Sequence, residues 1–503
     1  MKKKIIYLSV ILVLVISLIT LSSIYKSKDN KYKKEYNTIP KGMAIMIKEE
    51  GATDYTKSTS KDIPKGNYVL NEEKTHCENN GKVTNYNSAT GKISLNFIGS
   101  DRCYLYFDYE VPDGWKTILI NNGNGATTVE EAKTYIEGRT TSTTPDFSTV
   151  ATTNEGMYSA PDDLGTSYYF RGAVDNNWLK YGKYTKDMYN CNNGTISATD
   201  TGNSCTKIAS SGDAIYWRII RINGDNSIRM IYSGITPPTE STKVIKTTDT
   251  SLKNSSFNAK YDSAEYVGYM YEIGKQHGTG TDSTIKTFLD NWYVNYTNLN
   301  ATGTKITDQI FCNDRRKGVA DPPISPFAAG VRLYYNVSKY GKKEEPILTC
   351  PEESDKFTSK GSSIGNKKLE YPVGLITADE VSMAGGKNTT QHGPETIANS
   401  SYYLYTNQNY WSGSPKSFVS KVGYSGNFGT SEFIVSSSGS LTGSPGQHYG
   451  YEVVVVPTED GSNSGSDSNS GSGNLYGVRP VVSLSSKVKL SGNGTYNDVY
   501  TVN

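Results

Sequence analysis

Histidine is almost missing from these 503 residues: the four present, His76, His277, His392 and His448, are scattered in polar stretches with no H-E-x-x-H and no i,i+4 pairing. A helix-borne zinc hydrolase site and a histidine-based triad are therefore not expected. No C-x-x-C occurs either, which removes the usual zinc-ribbon and thioredoxin-type frameworks, so neither metal nor cofactor is expected. A basic stripe is also missing. Residues 1–50 hold ten Lys against four acids, leaving 42 basic against 46 acidic residues elsewhere. Displacing counterions from a phosphate backbone needs an excess of Lys and Arg on the folded part, so no nucleic-acid partner is expected.

What is present begins with Ile5–Ile24, twenty residues without a charge, preceded by Lys2, Lys3 and Lys4. As a helix at about 1.5 Å per residue this run spans roughly 30 Å, the thickness of a bilayer core. A cleaved signal peptide would carry an apolar region of about 7 to 15 residues and an A-x-A-like site. The run is longer and has no such site, so residues 1–25 are expected as an uncleaved transmembrane anchor. On this reading the partner is the membrane and the location is the cell membrane, single-pass, with the remainder outside the cytoplasm.

Six cysteines follow, Cys77, Cys103, Cys191, Cys205, Cys312 and Cys350. Six allow 15 pairings, and nearest-neighbour pairing (77 with 103, 191 with 205, 312 with 350) keeps each bridge within a local unit. Disulfides belong to oxidising compartments.

Residues 26–41 read as a polar spacer. Residues 42–112 read as a small β module, with YVLNEE, KVTNY, KISLNFIG and CYLYFDYEV alternating apolar and polar positions. Residues 113–165 are rich in Thr, Ser, Asn and Gly and predict a linker with one short helix from about Val129 to Glu137. From 166 to 503 the aromatics thicken into a main domain. Within it, YWRIIRIN-GDN-SIRMIYSG predicts a hairpin turning at Asn223-Gly224. Ile285, Phe288, Leu289, Trp292, Tyr293 and Tyr296 form one helical stripe, capped by Asp282 or Ser283. Thr377 and Glu380 form a capping box. The Ser/Gly/Asn-rich segment 459–474 predicts a mobile loop.

The words YYFRGAVDNNWLKYGKY, YWRIIRINGDNSIRMIYSG, FCNDRR, YPVGLITADEVSMAGG, YYLYTNQNYWSGSP and YGVRPVVSL resemble, in this order, a family of predicted surface proteins of low-GC anaerobic bacteria, over most of residues 160–503. The C-terminal half, with N-Y-W-S-x-S-P and then G-V-R-P-V-V-S-L, resembles bacterial surface domains related to formylglycine-generating enzyme and C-type lectins. The resemblance implies an α+β, β-rich fold: a small β module and then a large irregular mixed domain, C-type-lectin-like in its C-terminal half, behind the transmembrane helix. Enzymes of that branch use two cysteines late in the domain, and this chain has none after Cys350.

Chemistry is sparse. Asp379 and Glu380 suit an acid and base pair, but their place in a first helical turn is explained by capping. Gly361-Ser362-Ser363-Ile364-Gly365 matches G-x-S-x-G without the flanking strand and helix. Asp175–Asn177 and the acidic positions between 460 and 469 lack calcium-loop spacing. Tyr403, Asn409, Tyr410 and Trp411, with Arg479, make a polar aromatic cluster suited to a surface glycan or protein ligand. The alternatives for these residues are a buried aromatic anchoring an irregular loop and an arginine bridging to Asp379 or Glu452. The functional expectation is a membrane-anchored, non-enzymatic binding or adhesion protein. The alternatives are a formylglycine-generating-enzyme-like or wall-modifying enzyme and a passive envelope component.

Overall fold

The computed structural model describes residues 33–49, 52–65, 68–87, 91–96, 101–109, 113–143, 145–147, 149–202, 204–258, 268–272, 275–318, 324–333, 345–386, 399–419, 429–435, 441–443 and 475–503. They form two compact units, divided between Pro112 and Asp113.

The first unit has eight strands. They are β1 (Lys33–Tyr36), β2 (Met43–Lys48), β3 (Thr56–Lys57), β4 (Tyr68–Leu70), β5 (His76–Cys77), β6 (Lys82–Asn87), β7 (Lys92–Asn96) and β8 (Cys103–Tyr109). In β8, Cys103, Leu105 and Phe107 are buried while Tyr104 and Tyr106 are partly exposed. This is the two-residue period of a half-buried strand. One sheet runs β3-β2-β8-β4 with β5 also on β8, and a second runs β1-β7-β6. Ile45, Ile63, Ile93, Leu95, Leu105 and Phe107 fill the core between them. Cys77 and Cys103 face each other across β5 and β8 and are bonded.

The second unit is a mixed α+β domain. Helices α1 (Gly114–Asn121) and α2 (Val129–Thr143) come first, and they place Trp115, Ile118, Leu119, Ala132 and Ile136 in the domain's core. The stretch expected as a linker thus supplies apolar surface to the main domain. Strands β9 (Asn154–Asp162), β10 (Gly165–Gly172), β11 (Trp178–Lys183), β12 (Met188–Cys191), β13 (Ile196–Ser197), β14 (Cys205–Ala209), β15 (Ala214–Ile222) and β16 (Ile228–Tyr232) follow. The principal sheet is a curled seven-strand path. Its order is Ile306–Thr307, Val481–Leu484, β16, β15, β11, Tyr500–Val502 and Leu490–Ser491, with β10 and β9 branching from β15. β12, β13 and β14 make a separate small sheet in which Cys191 and Cys205 are opposed and bonded.

β15 and β16 form the expected hairpin, from Trp217 opposite Tyr232 to Ile222 opposite Ile228. The left-handed residue in its turn is Asn226, at φ 68°. Asn reaches this conformation more readily than most residues. Gly224 serves a different end, because a Cβ there would lie 2.3 Å from the Gly165 nitrogen. Helix α3 (Thr284–Asn295) starts at Ser283, whose hydroxyl accepts the Lys286 N–H, and buries Ile285, Phe288, Leu289, Trp292 and Tyr293. Its Trp292 meets Trp217 and Tyr232 edge-on, with ring centroids 6.4 and 6.1 Å apart. Such pairs add about 0.5–1.5 kcal/mol each beyond the area they bury.

Two expectations are corrected. Among the described residues no helix is long and apolar enough to cross a membrane. The single-pass anchor, the membrane partner and the cell-membrane location thus have no helix to rest on among the described residues; Ile5–Ile24, from which they were read, lies outside them, as does the segment 459–474. The C-type-lectin-like reading of the C-terminal half also fails, because that half is not self-contained. Val481–Leu484 pairs with β16 and Tyr500–Val502 with β11, so the last strands complete a sheet begun by residues 154–232.

Candidate functional site

Helix α4 (Ala328–Leu333) and helix α5 (Ala378–Met383) deliver opposite charges to one buried place. Thr377 caps α5: its hydroxyl accepts the Glu380 N–H, and Glu380 returns a carboxylate oxygen to the Thr377 N–H at 3.0 Å. The capping box read from the sequence is present, yet it uses only part of Glu380. Both Asp379 and Glu380 are buried. Such carboxylates are stable only beside compensating charge.

The compensation comes from arginines on the hairpin and on α4. Arg221 donates from Nε to Glu380 Oε1 at 3.0 Å and from Nη1 to Asp162 Oδ2 at 2.9 Å. Arg229 Nε lies 2.6 Å from Glu380 Oε1, an ion pair outside hydrogen-bond angles, and its Nη1 donates to the Ile310 carbonyl at 3.3 Å. Arg332 grips Asp379 with two bonds, 3.0 and 2.9 Å, and donates to Asp314 Oδ2 at 3.0 Å. Arg316 closes on the other oxygen of Asp314 at 2.8 Å.

These groups, Arg316 apart, line a narrow cleft of about 30 Å³, together with Gln309, Thr377 and Ser414. That is room for a water molecule. Burial opposes ionisation of Glu380, but Arg229 and Arg221 more than offset it and hold the carboxyl below the usual carboxylate range. Asp162 is likewise lowered: burial acts against it, and Arg221 and the Gly224 N–H outweigh burial. Asp314 follows the same balance, with Arg316 and Arg332 lowering it. The cleft therefore offers ionised carboxylates, able to stabilise positive charge, and among the described residues no histidine lines it.

The aromatic cluster lies elsewhere. Tyr403, Tyr410, Trp411 and Arg479 are all at most 4% exposed. The Tyr410 hydroxyl donates to the Leu404 carbonyl, and Trp411 Nε1 donates to the Ser255 carbonyl at 2.8 Å. Arg479 stacks on Tyr410 at 4.8 Å and donates to the Tyr232 and Leu404 carbonyls, with no bond to a carboxylate among the described residues; Glu452 lies outside them. Asn409 is half-buried, and its carbonyl accepts the Gly477 N–H. The structure brings Tyr410, Trp411 and Arg479 together as packing and backbone support. Gly361–Gly365 forms turns without a flanking strand and helix.

Sequence reasoning reached Asp379 and Glu380 but missed Asp162, Arg221, Arg229, Asp314 and Arg332. One signal was available. Arg221 and Arg229 interrupt β-branched runs on both arms of a hairpin whose residues are buried almost throughout. A charge in such a strand calls for a buried partner.

A second cluster resembles a metal site only by proximity. Ligand atoms of Cys77, Asp101 and Cys103 lie within 4.8 Å of one another. The two sulfurs are bonded to each other, so neither is the thiolate a metal needs. Asp101 accepts the Gly81 and Arg102 N–H groups at 2.6 and 2.7 Å. These residues do not fit a metal.

No family model, no curated protein and no solved structure matches the chain. The reading of function therefore rests on the geometry. The expected membrane-anchored adhesion protein is set aside, since among the described residues there is no membrane-crossing helix.

Proposed function

We propose that the main domain is a hydrolase of the wall-modifying kind, working in an oxidising compartment, with the cleft around Asp379 and Glu380 as its site. The observation that carries this reading is a water-sized space lined by ionised carboxylates and the guanidiniums that position them. Carboxylates facing a water-sized space can act as general bases toward a water taken up there, the more effectively the less their pKa is depressed. Arginines oriented by acids would hold polar groups of the substrate. The oxidising compartment follows from three disulfides and no free cysteine among the described residues. Envelope polymer as substrate draws on the resemblance to predicted bacterial surface proteins. A formylglycine-generating activity is disfavoured, because its thiol chemistry needs cysteines that are not all tied in structural bridges.

The test incubates the full chain with purified peptidoglycan sacculi and measures soluble fragments released. Release by the native chain and its loss in Asp379→Asn, assayed at a temperature where circular dichroism shows the variant folded, supports the assignment. No release, or equal release by the variant, removes it.

A second reading is favoured by one observation: each acid that reaches the cleft from α5 is already paired with an arginine. On that reading the cluster is an ionic joint that fixes α5 against the hairpin. It predicts that Asp379→Asn lowers the melting temperature and that the native chain releases nothing.

A further inference from the structure

The small module contains a second and larger concavity, a groove of about 530 Å³ that the proposed hydrolase site does not use. One wall is Tyr68–Leu70 of β4 with His76 and Cys77 of β5; the other is Lys82–Tyr86 of β6. Consecutive residues line both walls. Side chains of a strand alternate between its two faces, so a wall formed by every residue in turn is the strand's hydrogen-bonding edge and not one of its faces.

The pairing agrees. Among the described residues β6 pairs with β7 alone, and β4 and β5 pair with β8 alone. Two open edges, one from each sheet, therefore border the same groove. Proteins commonly blunt such edges with charge, proline or a covering loop. Along β6 the only charged residue is Lys82, and on the β4 wall Val69 is one of the few large apolar residues left exposed, at 38%. The edges are also held in place. The Cys77–Cys103 bridge ties β5 to β8, and Gly81, just before β6, sits so close to Cys77 Sγ that a Cβ would lie 2.8 Å from it.

We propose that this groove is a docking site for an extended segment of another polypeptide, which adds as a strand along the edge of β6. An extended backbone presents N–H and C=O groups alternately along its side, which is what a strand edge pairs with. The exposed Val69 favours a β-branched or apolar residue on the guest, while Val83 and Tyr86 pack against the module's core. Lys82 favours an acidic residue at the end of the guest nearest it.

The test is hydrogen–deuterium exchange on the full chain, read by mass spectrometry over residues 68–77 and 82–87. The probe is a blocked octapeptide of alternating threonine and valine with one terminal glutamate, at millimolar concentration. Fast exchange at β6 in the free chain, slowed by about tenfold or more with the probe, is expected from several new backbone hydrogen bonds. The same peptide N-methylated at alternate residues along one side should give no protection. Slow exchange at β6 without peptide, no effect of the probe, or equal protection by the methylated peptide would each overturn the proposal. Protection that grows with protein concentration alone would also overturn it, by assigning the groove to a second copy of this chain.

Discussion

The small module and the main domain solve the same problem, an interior without water, in opposite ways. Among the described residues the module buries aliphatic and aromatic side chains and, of polar ones, only Ser94. The main domain buries whole guanidiniums: Arg171, Arg218, Arg229, Arg315 and Arg479 are each at most 1% exposed. Each has partners on several segments. Arg218 donates to the Lys243 and Val174 carbonyls and stacks on Trp178, and Arg315 joins the Asp355 carboxylate to the Met270 and Gly278 carbonyls. A guanidinium has five N–H donors, and satisfying them without water takes many converging acceptors. A thin two-sheet module has too few, whereas a large domain with long connections can bring them together. The module relies on its apolar core and one disulfide, whereas the main domain adds buried ion pairs to two disulfides.

Breaking a buried arginine should therefore cost the most. Arg315→Ala strands the Asp355 carboxylate in the interior, where removing one partner of a buried pair costs about 3–5 kcal/mol. Urea unfolding followed by tryptophan fluorescence, whose five tryptophans all lie in the main domain, should show the midpoint falling while amide exchange in β2 and β8 is unchanged; loss below about 1 kcal/mol would mean water replaces the arginine.

Next in size is the module's bridge. Removing it in the double variant Cys77→Ala, Cys103→Ala should lower the module's stability by about 3 kcal/mol, through the freed loop in the unfolded chain. Exchange rates of β2 and β8 amides would report it, with the main domain unchanged. An equal loss in both units would contradict their independence.

The smallest effect is the pH dependence of the Arg315 cluster. His277 Nδ1 lies 3.0 Å from Asp355 Oδ2, and that bond raises its pKa above the ordinary 6.5. A raised pKa means the folded state favours the protonated imidazole. Its contribution is fully present below the unfolded-state pKa and is lost as pH rises through the higher folded-state value. The melting temperature of the native chain should thus drift down more than that of His277→Gln as pH rises from slightly acidic through neutral. Parallel curves would remove His277 from the cluster's energetics.

How legible each part was follows from the range of the interaction. The α3 stripe, its cap at Ser283, the alternation in β8 and the Thr377–Glu380 capping box involve residues a few positions apart, and each stands in the structure. The cleft joins Asp162, Arg221, Asp314, Arg332 and Glu380, which are up to 218 positions apart in the numbering of the chain. Periodicity marks a position as inward but says nothing of the partner it meets there. Tyr410 and Trp411 show the converse, since a polar local context suggested an open loop while the Ser255 and Leu404 carbonyls were waiting inside.

By itself, then, the amino-acid order determined the local elements and the inward faces of strands and helices. Those properties depend on spacing along the backbone, where a period of two or of 3.6 residues is set by covalent geometry. Only the tertiary structure decided that residues 113–143 belong to the main core, that arginines from the hairpin meet the acids of α5, and that two strand edges face one groove. Each of these depends on which distant segments pack together, and that choice is made by the whole interior at once.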